Sequence, residues 1–361
     1  MSNLGKLASS RVRRVRTWIA ALICGAGLAF GCGNGAASNP SGSASSRDAG
    51  QTESNQTRGD LPSDAGSVAR VKESRVVGYL QTYRLATGEP ALHLDTLTHL
   101  NLAFAIPNSR GKVDFPDADA SAIQRIVDEA HKSKVKVLAA IAGASGGEAT
   151  AARLAMGVDA FVASLLDLVS EYNLDGIDID IEGDNIDPTT YGPLMQKLSK
   201  RLAELPERKL LTAAVGSYRK ERYQALGTVD FLNIMSYDQC GSWSGACEHS
   251  TRKQAEDDLN YWSKIQAVDA DGVSRTIGSE RVVLGVPFYG RCWGKKCPGS
   301  ANGDGTFKPT VDLSYAEIAA YCLSSTFSGC SDSADVLEEY GEETSGYYVS
   351  LNAPNTIESK A

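Results

Sequence analysis

The chain has 361 residues, 42% of them hydrophobic and 22% charged, with 36 Lys+Arg against 44 Asp+Glu and a formal net charge of −8 at pH 7. That is globular composition, long enough for one large α/β barrel or two average domains. No basic face is readable, which excludes nucleic acid as a partner and leaves a neutral substrate.

The first 32 residues read as an export signal. Basic residues (Lys6, Arg11, Arg13, Arg14, Arg16) precede an apolar run from Trp18 to Phe30. At about 1.5 Å rise per residue that run is too short for a hydrocarbon core of about 30 Å. "LAFGC", ending at Cys32, resembles a bacterial lipobox. That resemblance implies cleavage before Cys32, lipidation of its thiol, and an exported lipoprotein of the outer membrane or cell surface, touching the membrane only through the lipid. A plain signal peptide and a secreted product are the alternative. Residues 33–70 are Gly, Ser, Asn, Asp and Ala with almost no large apolar side chain, a composition that cannot order itself. As a flexible tether they reach roughly 30–37 Å root-mean-square.

From residue 71 a folded domain is expected to run to residue 361. Seven apolar, β-rich runs follow in order: 75–81, 98–106, 134–143, 174–182, 209–216, 229–238 and 281–290. Between several of them lie helical patterns, over 119–133, 158–173 and 190–205. Strands alternating with amphipathic helices predict a parallel α/β sheet. Polar residues at the C-terminal ends of several strands favour a (β/α)8 TIM-type barrel over an open sheet. Only seven strands are readable before the chain stops, so the barrel is expected to be incomplete, with unpaired edges on its first and seventh strands. The stretch of about 290–348 is too long for a simple loop and is expected to form a small α+β insertion after the seventh strand, with "LSYAEIAAYC" (313–322) as its helix. Beyond Cys24 and Cys32, six cysteines form three close pairs along the sequence, Cys240/Cys247, Cys292/Cys297 and Cys322/Cys330. In an exported chain they read as disulfides, each worth roughly 2–2.5 kcal/mol in the chain-entropy model. The four histidines, His93, His99, His131 and His249, show no metal-ligand spacing. They read as structural, and no metal or cofactor is expected.

"DGIDIDIE" (175–182) carries the chemistry. Side chains alternate along a strand, so Asp178, Asp180 and Glu182 share a face and the isoleucines take the other. In a barrel the isoleucines pack under helices and the acids point inward. Carboxylates so close raise one another's pKa, and a raised pKa on Glu182, at the open end, gives a general acid usable near neutral pH. A calcium cluster would need turn geometry rather than a strand. "GASGG" (143–147) lacks the Lys-Ser/Thr of a phosphate-binding loop.

This stretch also resembles the DxxDxDxE signature of family 18 glycoside hydrolases, the chitinase family, and the likeness extends over roughly 74–361. "VVGYLQ", "HLNLAFA", a degenerate "AAIAGASGG", "NIMSYD", "CGSW" and "LGVPFYGR" follow in the family's order. The resemblance implies a retaining, substrate-assisted hydrolase of β-1,4-linked N-acetylglucosamine polymers. Glu182 would be the proton donor, Asp180 and Asp178 its assistants, and Tyr237 the partner of the acetamido carbonyl. Asp238, Trp243, Tyr79, Phe104, Tyr289 and Arg291 would line the cleft, with Trp243 as a sugar platform. An endo-acting enzyme on glycans or peptidoglycan, and a non-catalytic carbohydrate binder, share these features. Three departures stand out. Gly183 follows Glu182 where the family often has an aromatic, which is expected to open that side of the cleft. The third-strand motif is altered. The tryptophan-bearing final strand is absent.

Overall fold

A computed structural model of the chain describes residues 20–22, 74–86, 92–245, 247–293, 310–314, 336–339 and 347–350. Cys32, the tether over 33–70, Cys297, Cys322, Cys330 and most of the expected insertion helix lie outside them.

The seven expected strands form, each within a few residues of its apolar run. They are β1 (Val77–Gln81), β2 (His99–Pro107), β3 (Lys136–Ala142), β4 (Gly176–Asp180), β5 (Leu210–Gly216), β6 (Phe231–Met235) and β7 (Val282–Pro287). Each pairs in parallel with the next. Five helices lie between them: α1 (Ala120–Lys132), α2 (Gly143–Met156), α3 (Val158–Glu171), α4 (Pro188–Ala203) and α5 (Arg252–Lys264). In α1 the buried residues Ile123, Ile126, Val127 and Ala130 fall at the spacing of one helix face. Helix α4 starts at Pro188 with the Asp187 carboxylate accepting from the Thr189 N–H, and Thr251 caps α5 through Gln254.

The barrel of seven strands is incomplete as expected, and in the uncleaved chain a short N-terminal segment lies between its edge strands β1 and β7. Ala20–Leu22, from the N-terminal apolar run, lies parallel to both, with Ala21 opposite Gly78 and Ala20 opposite Gly285. Facing strand edges hold rows of unpaired N–H and C=O groups, and any extended apolar segment able to reach them satisfies those groups. The insertion after β7 is partly different from expectation. Among the described residues it is an antiparallel sheet of β8 (Tyr289–Trp293), β9 (Thr310–Ser314), β10 (Val336–Glu339) and β11 (Tyr347–Ser350), in the order β9-β8-β11-β10. Leu313 and Ser314, expected to open a helix, end β9 instead, where their backbone pairs with Gly290 and Tyr289.

Strand register is pinned at the N-terminal end of the barrel by a repeated device. A polar residue just ahead of one strand accepts the N–H that opens the preceding one. Thr98 does this for Val76 at 2.8 Å, Asp175 for Val137 at 2.9 Å, and Asp230 for Leu211 at 2.9 Å. A one-residue slip would turn each strand's inward set outward, so these bonds protect the site's geometry. Asp175 is the most heavily used, with Lys136 Nζ at 2.6 Å and His131 Nε2 at 2.8 Å. Burial alone would raise its pKa, but Lys136, the Val137 N–H and His131 hold it below the ordinary carboxylate range. Asp175→Ala is expected to cost about 2–3 kcal/mol by urea denaturation at pH 7. Because the folded pKa is depressed, that contribution is present above about pH 4, the ordinary carboxylate pKa, and the gap between wild type and variant should close as pH falls below it.

Candidate active site

Strand β4 places its side chains as the alternation requires. Ile177, Ile179 and Ile181 are buried in the layer shared with the helices, beside Leu165, Leu194 and Leu198. Asp178 and Asp180 are fully buried on the other face. Their inward direction is set by what Asp178 meets. Its Oδ2 accepts from the Tyr79 hydroxyl of β1 at 2.8 Å, and its Oδ1 from Thr212 of β5 at 2.5 Å and the Asn233 amide of β6 at 3.1 Å. Strands β1 and β6 are not neighbours of β4, so these bonds cross the barrel interior.

The three carboxyls differ in support. Burial raises the pKa of Asp178 while the Thr212, Tyr79 and Asn233 bonds oppose the rise. Asp180 is also buried, but among the described residues neither of its oxygens has a hydrogen-bond partner. Burial first, then the charges of Glu182 and Asp178, push it well above the ordinary range. Same-face neighbours on a strand are about 6.6 Å apart. At an effective dielectric of about 20, two charges at that distance repel by about 2.5 kcal/mol. Burial and this repulsion both favour the protonated form of Asp180. Glu182 continues the extended backbone at φ −117°, ψ 150°, and is partly exposed at the barrel mouth. Burial and then the charge of Asp238 raise its pKa to about 7.

A second cluster faces it from β8 and the loop after β6. Asp238, left-handed at φ 60°, accepts from the Tyr289 hydroxyl at 2.5 Å and pairs with Arg291 at 2.8 Å. His249 Nδ1 lies 3.3 Å from the same oxygen. Burial opposes the charge on Asp238, but His249, Arg291 and Tyr289 together hold its pKa below the usual range. The ring of Tyr237 is buried edge-on to Tyr289, with centroids 6.2 Å apart. Phe104 is partly buried against the interior cluster that contains Tyr79, Tyr237 and Tyr289. Trp243 is 64% exposed, with the Arg291 guanidinium 5.0 Å from its ring centroid. The Cys240–Cys247 disulfide closes the loop that carries it. Cys292 is disulfide-bonded too.

The sequence profile of glycosyl hydrolases family 18 matches residues 75–361. The chain belongs to that family. Its fold resembles the family 18 chitinase ChiB from the chitin utilization locus of Flavobacterium johnsoniae, with a TM-score of 0.58 and 28% identity over 79% of this chain and 82% of that one. Chitinase A1 of Niallia circulans is 29% identical over 178 residues, 40% of this chain and 24% of that protein. A chitinase-like allergen of the mite Dermatophagoides pteronyssinus is 27% identical over 169 residues, 45% of this chain and 35% of the allergen. The matched stretch thus spans well under half of either relative.

Several residues of this family 18 site escape a reading of the sequence. Thr212 and Asn233 are polar residues at inward positions of apolar strands, and their interruption of "KLLTAAV" and "DFLNIM" is a readable signal. His249, read as structural, is fully buried against Asp238 and Tyr289, which only the loop closure brings together. Tyr223, after β5, accepts from the Gly216 N–H at 3.2 Å, and its pKa is raised by burial and then by the charges of Glu182 and Asp180. The space beside Gly183, expected to stand open, is bordered by the Tyr218 ring, 3.7 Å from where a Cβ would lie.

The altered third-strand motif has a local cost. Ala142, opposite Asp180 in the β3–β4 register, sits at φ 85°, ψ −77°, where a side chain is strained by about 1–3 kcal/mol. Ala142→Gly relieves that strain, offset by roughly 1 kcal/mol from the freer unfolded chain. A net gain of about 1 kcal/mol in the free energy of urea unfolding is expected.

Proposed function

We propose that this chain is a retaining glycoside hydrolase that cleaves β-1,4-linked N-acetylglucosamine polymers, chitin or its oligosaccharides, with the substrate's own acetamido group as nucleophile. The observation that carries this reading is Glu182, a carboxyl at the barrel mouth with its pKa raised to about 7, beside a buried aspartate that has no partner among the described residues. Glu182 is the proton donor the reaction needs, and the same strand offers no carboxylate free to attack the sugar. Two carboxylates flanking a bond would serve the usual retaining scheme; substrate assistance needs one acid and a group to steady the amide.

In the first step Glu182 protonates the glycosidic oxygen as the C1–O bond breaks, and the acetamido carbonyl oxygen bonds to C1, giving an oxazolinium. Asp180 turns to accept the acetamido N–H, passing its proton toward Asp178, and its charge then faces the positive ring. Tyr237 donates to the acetamido carbonyl. In the second step Glu182, now a carboxylate, takes a proton from water as the water oxygen attacks C1 and the bond from C1 to the acetamido oxygen breaks, restoring the acetamido group, and the product keeps its configuration. Asp238 grips the sugar, and Trp243 stacks on its C–H face, with Tyr79, Phe104, Tyr289 and Arg291 shaping the cleft. For the N-terminus we propose a lipid anchor at Cys32 that tethers the enzyme outside the cell; the cleavage it requires removes Ala20–Leu22 and leaves the edges of β1 and β7 without that segment.

Glu182→Gln is expected to lower kcat on chito-oligosaccharides by at least about a hundredfold, because an amide cannot donate the proton. Since the acid must be protonated, kcat/KM of the wild type should fall as pH rises through about 7. Glucose polymers, which lack the 2-acetamido group, should not be cut. Undiminished turnover by the Gln variant sinks the mechanism, and sugar binding without hydrolysis by wild type replaces it with a carbohydrate-binding role.

A further inference from the structure

Tyr218 occupies an unexpected place. It follows β5, in the loop beside Glu182, and is 60% exposed. Gly183, directly after Glu182, turns the chain at φ +57° and leaves a space where a side chain would project; the Tyr218 ring borders that space at 3.7 and 3.8 Å. The ring is not loosely placed. Arg219 lies with its guanidinium 4.7 Å from the ring centroid, and Arg219 Nε is held by Asp184 at 3.0 Å. Arg222 binds the same carboxylate at 3.2 Å and the Asp184 and Ile186 carbonyls at 3.1 Å, strapping the turn after Glu182 to the loop after β5.

The same construction recurs one strand further on. Trp243 is 64% exposed and has Arg291 at 5.0 Å from its ring centroid, with Asp238 and Asp312 fixing the guanidinium. In both cases a cation is spent on holding a ring that stays open to solvent. Burial cannot explain such a ring, and a fixed ring loses little freedom when a flat ligand lands on it.

We infer that Tyr218 is a second stacking platform, which takes an N-acetylglucosamine unit adjoining the bond beside Glu182, on the rim left bare by Gly183. Pyranose rings present C–H faces that pack on aromatics, and the platform sets how far the chain of sugars is gripped on the β4–β5 side. The inference rests on the reading of the substrate as an N-acetylglucosamine polymer.

Titration calorimetry of the full chain with N-acetylchitohexaose separates the two ideas, using Glu182→Gln as the background so that binding is read without turnover. Adding Tyr218→Ala should weaken binding by about tenfold, while Tyr218→Phe, which keeps the ring, should stay within about twofold. Equal affinity for the Ala variant, or the same loss in Phe as in Ala, overturns the platform. No binding of the hexamer by Glu182→Gln removes the substrate reading and the platform with it. Absence of hydrolysis by wild type alongside the expected binding pattern removes only the catalytic reading and leaves the platform standing.

Discussion

Donors from three different strands converge on the Asp178 carboxylate, and they can do so only if the sheet curls. Tyr79 comes from β1, Thr212 from β5 and Asn233 from β6, while Asp178 itself stands on β4. In a flat sheet β1 would lie three strands away, at about 4.8 Å per strand, far beyond a hydroxyl's reach. The bond from Tyr79 is thus a chord across the barrel. A buried carboxylate without such bonds would be costly enough to disfavour the fold. Barrel closure and the support of this acid are the same requirement.

The rest of the acidic face follows from that anchor. Negative charge is supported at Asp178 by three donors and at Asp180 by none among the described residues, so protonation is favoured more strongly at Asp180. Glu182, further out and partly in solvent, is left near neutrality by burial and by Asp238, which Arg291, His249 and Tyr289 hold ionised. Carboxyls of nearly identical chemistry therefore meet three different surroundings within five residues, from the barrel's floor of donors to its open mouth. Arg291 extends the arrangement into the inserted sheet, since its guanidinium bridges Asp238 and Asp312 of β9 at 2.8 and 2.7 Å. The insertion steadies the charge that tunes the acid.

What could be read in advance was whatever depends on period and order. The two-residue alternation of DGIDIDIE tells which side chains enter the barrel, and the seven apolar runs give the strands with ends only a few residues off. What could not be read depends on contacts between distant segments. Helix α2 begins with the glycine-rich "GASGG", and Gly146 is needed there because a Cβ would stand 2.2 Å from Ile106 Cγ2. His249 lies eleven residues beyond Asp238, and only the fold of the disulfide-closed loop brings the two together. Ala20–Leu22 belongs by composition to a leader, and no pattern within those three residues marks them as a partner for the edges of β1 and β7. Thr212 and Asn233 fall between these cases, visible as polar interruptions of strands but with a destination that required the barrel.

Chemistry and grip are divided between different kinds of backbone. Asp178 and Asp180 lie within β4, Glu182 two residues beyond it, and Asp238 three residues past β6. A proton transfer needs placement to within about half an ångström, which hydrogen-bonded strands supply better than loops. The exposed rings stand on the loops themselves, where a chain of sugars can reach them, and loops are mobile unless tied. Here both are tied, the Trp243 loop by a disulfide and by Arg291, the Tyr218 loop by the arginines that meet Asp184. The ties restore to the rim part of the rigidity that the strands give the acids, and the strain at Ala142, borne next to Asp180, is tolerable because the surrounding β3–β4 pairing leaves the backbone there no easier course.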